Sequence, residues 1–558
     1  MANISKTRTL FGFTSPRTLE KVIPEIGLLS ERFAGQVWDK ETQKEFFESL
    51  TESDFYEGTR QVKNPDMAAR DRITRAPKSL GLVQLKPSIS LTAAGRSLLN
   101  QPRSYDLFTR QLMKFQLPSP YHPFKPEAGF RIRPYLELVR LVRDAGSLSK
   151  TEIALFFVPL NNVTDYPTAL GALLNYRKAK KKLSNGRKAY TQSEFDRVLT
   201  KLYKLEIQAG DFGTRESKTS TLQGFLRKKQ RNLLDYADAF LRYLRATQLV
   251  TLEKSTMRLV ISDSRRAEAE FLLSSVPREP ASFAILRAFE DYLFSPDNLP
   301  LLTDDVKRLT QKLATLGITP PNGATSTELQ DLLEQGTVQQ QNKAVEAIEQ
   351  GLKHYQRFEE VDGFFDRITK RGELQDAPMW LEWNVWRSFT MMNYAKHVTG
   401  NFTVDLDGAP LGTAAGNQPD LELDYGGFQL IVEVTLSTAQ KQYEMEGEPV
   451  ARHYSRATQM AGKPVYCIFV APAPHPATVA HFFNLNKSHT DFYGGQTNII
   501  PLSLRQFRKL VNRAKEGAFT EPAKLEALLK SLLAEGRTCQ GENRWLQAIE
   551  TQVSQWLA

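Results

Sequence analysis

The stretch PDLELDYGGFQLIVEVT, residues 419–435, puts Asp420, Glu422, Asp424 and Glu433 into a segment whose patterning predicts two β-strands turned at Gly426-Gly427. Within QLIVEVT the side chains alternate faces, so Ile431, Glu433 and Thr435 point one way and Val432 and Val434 the other. A carboxylate on so apolar a strand is costly unless something offsets its charge, and a divalent cation does so well. A hairpin of this length brings Asp420 beside Glu433. Two carboxylates converging on one point, with positions left for water and phosphate, make a Mg2+ site. The plain structural alternative is an acid paired with an arginine or exposed at a strand end.

The neighbourhood adds three residues. Glu446 follows in YEMEGEPVARH, where Pro449 predicts the first turn of a helix, Glu446 just ahead of it and His453 on its second turn. Far upstream, Glu382 sits in MWLEWNVWRSFTMM among Trp380, Trp383 and Trp386, an odd place for an acid unless it faces a polar cavity. Each also has an ordinary reading: Glu446 as a solvated loop acid, His453 as a surface histidine, Glu382 as a partner for Arg387. The Asp420–Glu433 arrangement is that of the PD-(D/E)xK nuclease core, which hydrolyses phosphodiesters with metal-activated water. Pro419-Asp420 is a literal PD, whereas Thr435 stands where the lysine of ExK would be.

The chain of 558 residues is too long for one core, since domains rarely pass ~250 residues. Four zones are expected. Residues 1–125 contain a helical pattern through Met67, Ile73 and Leu80 that ends at Gly81, then the strands LVQL and ISLT, the plan of a winged helix. Residues 126–275 repeat that plan, with a capping box from Ser149 to Glu152 and a late helix–strand–turn–strand. Residues 276–345 alternate Pro/Gly breaks with short helical runs and read as a helical linker; residues 346–558 alternate strands and helices, predicting an α/β domain with a mixed sheet. The fold class expected is therefore multidomain: a mainly α, winged-helix-like recognition half followed by an α/β nuclease domain.

A net charge of +10 favours a polyanionic partner. Candidate DNA contacts are Arg70, Arg72, Arg75 and Lys78 on the first recognition helix. Others are Arg177, Lys180, Lys181 and Lys182 in a basic run and Arg242 and Arg245 before the second hairpin. The basic run has little apolar interleaving and suits phosphate tracking better than base reading. Only Cys467 and Cys539 are present, which excludes a disulfide framework or a Cys-rich zinc site and fits a cytoplasmic protein. No apolar run is long enough to span a membrane.

The segment IVEVTLSTAQKQYEMEGEPVARH resembles the catalytic region of the AlwI-like type IIS restriction endonucleases, a group that includes BstNBI-type nicking enzymes. FGFTSPRTLEKVIPEIGLL resembles the opening of that family. The resemblance implies a Mg2+-dependent enzyme that binds double-stranded DNA at a short asymmetric site and cuts a few base pairs away. It implies Asp420, Glu433, the Val434 carbonyl and Glu446 as metal ligands, with Glu444 and Glu448 close rivals to Glu446. It also implies His453 near the scissile phosphate and Glu382 completing the acidic cluster. Thr435 agrees with that family's own pattern. Double-strand cleavage would call for a transient homodimer or a second catalytic subunit. Two other readings stay open: a winged-helix regulator with an inactive nuclease-like domain, and a sequence-nonspecific repair or defence nuclease.

Overall fold

The computed structural model describes residues 7–557 apart from 17, 20, 54, 57–61, 102–104, 214–220, 254–255, 371–373, 375, 415–416 and 517–518. The chain divides into two compact units, residues 1–53 with 59–338, and residues 54–58 with 339–558. Among the described residues no helix is long and apolar enough to cross a membrane.

The first unit is mostly helical. Helix α1 (Pro65–Ile73) precedes the antiparallel pair β1 (Val83–Gln84) and β2 (Ser90–Leu91), as the pattern predicted. The helix does not run on to Gly81. It stops at Ile73, and a separate turn of helix covers Ala76–Ser79. Pro77 is the physical reason, because it donates no N–H to the Ile73 carbonyl, where the first helix ends. Gly81 itself has φ +71°, the left-handed conformation expected of it. Further on come α2 (Tyr166–Lys182), α3 (Arg187–Leu202), α4 (Leu222–Ala246) and a second antiparallel pair, β3 (Val250–Leu252) with β4 (Leu259–Ile261). The capping box forms as read: Ser149 Oγ accepts the Glu152 N–H, and Glu152 accepts the Ser149 N–H at 2.8 Å. Residues 276–338 do not run free as a linker. The Arg110 guanidinium bonds the Leu299 carbonyl (2.6 Å) and Asp304, while the Gln111 amide bonds the Leu293 carbonyl (2.9 Å), so buried polar groups clasp this segment to the unit.

The second unit is built on a five-stranded mixed sheet. After α5 (Ala377–Met392), its strands in chain order are β5 (His397–Gly400), β6 (Leu421–Asp424), β7 (Gln429–Val434), β8 (Val465–Ala471) and β9 (Ile499–Ser503), hydrogen-bonded in that same order. The first three are antiparallel, with Leu421 opposite Val432 across the Gly426-Gly427 turn. The last three are parallel, with Glu433 opposite Phe469. Parallel strands need a crossover, supplied by α6 (Gln440–Ala461) and α7 (Pro476–Lys487). Val450, Ala451 and Tyr454 of α6 pack with Phe482 of α7 on Ile431, Cys467 and Phe469. One face of β7 is thereby sealed.

Helix α6 departs from expectation. Pro449 lies inside it, so Glu446 is a helical residue and not one that precedes the helix. Tertiary contacts hold the extra upstream turns: the Gln442 side chain donates to the Ser437 carbonyl (2.8 Å) and accepts the His475 N–H (2.6 Å). They outweigh the hydrogen bond that proline cannot make.

The outer strand β9 depends on Asn486 of α7, whose amide donates to the Ile499 carbonyl (2.7 Å) and accepts the Ile499 N–H (3.0 Å) and the Thr497 hydroxyl (2.7 Å). Asn486→Ala strands these buried partners and is expected to cost roughly 2–4 kcal/mol of stability. Five of the six tryptophans lie in the second unit, so tryptophan fluorescence during urea unfolding reads that loss directly.

Candidate active site

Glu433 is 6% exposed and shares with Ile431 the face that α6 covers. Its nearest polar partner comes from that helix: His453 Nδ1 lies 2.7 Å from Glu433 Oε1, and His453 is equally buried. Asp420 stands immediately before β6, across the hairpin, and its Oδ2 accepts the Val434 N–H at 2.6 Å. The carboxylate and the backbone of the last β7 residue are therefore side by side. Glu382, 4% exposed on α5, accepts the Ala414 N–H at 2.9 Å.

Electrostatics tie the group together. Burial, then the charge of Asp420, pushes the Glu382 carboxyl well above the ordinary carboxylate range; Asp376 and Glu433 push the same way, and the Ala414 N–H opposes them. Burial, then Glu446, likewise pushes Glu433 well above that range, against the attraction of Arg452. Burial, then Glu433 and Asp420, raises the Cys467 thiol well above its usual value, which leaves it an inert packing residue. Five residues singled out in the sequence, Glu382, Asp420, Glu433, Glu446 and His453, thus lie within one electrostatic neighbourhood. Arg452 was missed. It precedes His453 on α6 and bonds Glu448 at 3.2 Å, and that adjacency was the only signal for it.

Among the described residues no three His, Cys, Asp or Glu side chains stand close enough to form a finished metal cage. The donor chemistry nevertheless fits a hard divalent cation. Asp420, Glu433 and Glu446 offer carboxyl oxygens, and burial with neighbouring carboxyls raises Glu433, a strain that a bound cation would relieve. Mg2+ retains several waters and needs few protein oxygens.

The candidate DNA contacts fare unevenly. Arg245 is 2% exposed, enclosed by the packing of α4, and offers no surface to a phosphate. Arg242 is mostly buried and bonds Asp238 at 2.8 Å. Arg72 bonds the buried Glu25 (Nε at 2.9 Å), Arg75 bonds Asp71 (2.6 Å), and Lys78 lies 4.5 Å above the Tyr121 ring. Arg70 is partly exposed, 3.8 Å from Asp71. Arg177 is spent on Glu152 and nearby carbonyls, whereas Lys181 and Lys182 are exposed. The general reason is that a basic helix in a folded core recruits its own acids, which no charge count displays.

The sheet and the helix over it thus bring clustered carboxylates and one histidine together. The family comparison is specific: the model described as AlwI restriction endonuclease matches residues 78–510, well over half of the 558 residues. The chain belongs to the AlwI restriction endonuclease family. Among curated proteins it has no match. One solved structure, the small subunit (R.BspD6I2) of the heterodimeric restriction endonuclease R.BspD6I, is 27% identical over 35% of this chain and 98% of its own, with a TM-score of 0.30.

Glu382 and Glu433 hold their protons more tightly folded than unfolded. Their contribution to stability is present below the ordinary carboxylate range and is lost as pH rises through the raised folded values. Glu382→Gln is expected to flatten that decline in EDTA, changing the melting temperature little at about pH 5 and raising it at about pH 8. Thermal unfolding at the two pH values checks it.

Proposed function

We propose that this restriction endonuclease is a Mg2+-dependent, type IIS-like enzyme, cutting or nicking double-stranded DNA a few base pairs from a short asymmetric site. The observation that carries the reading is the Glu433–His453 contact at 2.7 Å, with carboxylates of α5, the β6–β7 hairpin and α6 near enough to act on one another electrostatically. A buried acid–histidine pair with further carboxylates near it is poor packing and good hydrolytic chemistry.

In this reading Asp420, Glu433, the Val434 carbonyl and Glu446 hold the metal. Mg2+ bound there would supply a water of lowered pKa and offset the charge that grows on phosphorus and the leaving 3′ oxygen. The Val434 N–H fixes and orients the Asp420 carboxylate. Glu433 holds the His453 ring through Nδ1, which fixes its orientation for proton exchange with water or with a phosphate oxygen. Glu382, anchored by the Ala414 N–H, would give up its raised proton as a cation binds and then strengthen the hold on it. Thr435 brings no cation where the generic core has lysine, and Glu446 with His453 covers part of that role.

The first unit would supply site recognition, with its two helix-and-hairpin subdomains acting in the manner of winged helices. One cluster of carboxylates cleaves one strand at a time. Cutting both strands then requires a second copy of the chain or another catalytic subunit.

Unmethylated supercoiled plasmids of known sequence, incubated with Mg2+ and separately with EDTA, are expected to give discrete fragments or discrete nicks with Mg2+ alone. A smear would indicate a nonspecific nuclease, and intact DNA across varied templates an inactive regulator. Glu433→Ala is expected to slow cleavage by about 10^3-fold or more while specific binding in a gel-shift assay is retained. Wild-type rates in that variant would remove Glu433 from the reaction.

A further inference from the structure

The first unit contains an open polar cleft of about 600 Å3, separate from the acidic cluster. The C-terminal turn of α2, the first residue of α3, the short helix Lys150–Glu152 and the start of β4 form it. Five cationic side chains, Arg177, Lys180, Lys181, Arg187 and Arg258, face a single carboxylate, Glu152.

Glu152 is 4% exposed and organises the floor. It accepts Arg177 Nε at 2.8 Å and Nη2 at 3.0 Å, and it also bonds Arg258. Burial pushes its carboxyl up, but the bonds from Arg177 and the Ser149 N–H and the charge of Arg258 prevail, and it lies below its usual value. Arg177 has no donor edge to spare, since Nη1 bonds the Ala145 carbonyl at 2.8 Å and Nη2 also meets the Ser147 carbonyl. Arg258 is pinned by Nε to Ser147 Oγ at 2.8 Å. Lys180 is set by the Tyr176 hydroxyl at 3.0 Å, on a tyrosine stacked against Tyr190. Lys181 and Arg187 are exposed at the rim.

This is an electropositive cradle, fixed from below, in which the Arg177 fork is engaged and Arg258 is held by Ser147 and Glu152. Bidentate reading of guanine needs a free fork, so the cleft lacks the means to read a base through Arg177. A phosphodiester needs only converging positive charge and point donors. We propose that this cleft seats a backbone phosphate of the bound duplex, with Lys180, Lys181 and Arg187 making the contact and Glu152 acting as the positioning residue beneath them. The proposal rests on the chain's being a DNA-cutting enzyme, and it replaces a diffuse basic run by a defined seat. Lys182, next in sequence but outside the cleft lining, is no part of it.

The test is binding of a fluorescein-labelled duplex to the full chain in EDTA, by anisotropy over a series of KCl concentrations. Lys181→Ala and Arg187→Ala are each expected to lower the slope of log affinity against log salt by about one, and Lys182→Ala to leave it unchanged. Glu152→Gln removes a negative charge near DNA, yet it is expected to weaken binding several-fold, because the arginines lose their anchor. Its melting temperature, measured alongside, separates that effect from unfolding, and the two rim variants stand if it unfolds. Unchanged slopes with intact wild-type binding, an equal loss in Lys182→Ala, or tighter binding in Glu152→Gln would each overturn the cleft alone. A wild type that binds no duplex DNA would overturn the parent reading with it.

Discussion

Glu433 lies in the wall of an apolar sheet, and much of the second unit is arranged around the cost of keeping it there. A carboxylate so enclosed has to find a counter-charge, a proton or a metal. His453 meets one oxygen at 2.7 Å, and Glu446, Asp420 and Glu382 add repulsion where relief would be the stabilising choice. Stability alone would have replaced these acids with leucine and phenylalanine. Their presence beside a core of Cys467, Phe469 and Tyr454 is unfavourable for stability, which the proposed chemistry would explain.

The two units use buried acids in opposite ways. In the first, Glu25, Glu137 and Glu152 are each matched by arginines: Arg72, then Arg278, then Arg177 with Arg258. Such pairs orient guanidinium groups and leave little net charge inside. In the second unit the carboxyls near Glu433 push against it, and Arg452 opposes them. In the proposed reading the first arrangement serves a polyanion and the second a cation.

Legibility in the sequence followed the range of the forces involved. The β6–β7 hairpin, the facing of Ile431 with Glu433 and the capping box of Ser149 depend on neighbours within a few residues, and all could be read directly. The start of α6 could not, because distant partners such as His475 hold Gln442 and carry the helix upstream past Pro449. The break before Pro77 was a local signal passed over in favour of a longer apolar periodicity. Arg245 reads as a surface cation but is buried, and Arg242 is largely covered and paired with Asp238, since a helix's exposed face is decided by what packs on it.

By itself the sequence determined that a mixed sheet would carry acids on its central hairpin, and that their spacing with His453 resembled one restriction endonuclease family. Alternation along a strand and the reach of a two-glycine turn are enough for that, because both are set by covalent geometry. Only the tertiary structure decided that α6 would lie over Glu433, that α5 would bring Glu382 from across the domain, and that Glu152 would gather two arginines into a cleft. Those juxtapositions join residues tens to more than a hundred positions apart. Packing selects them through the burial of whole faces, and no local pattern records which faces will meet.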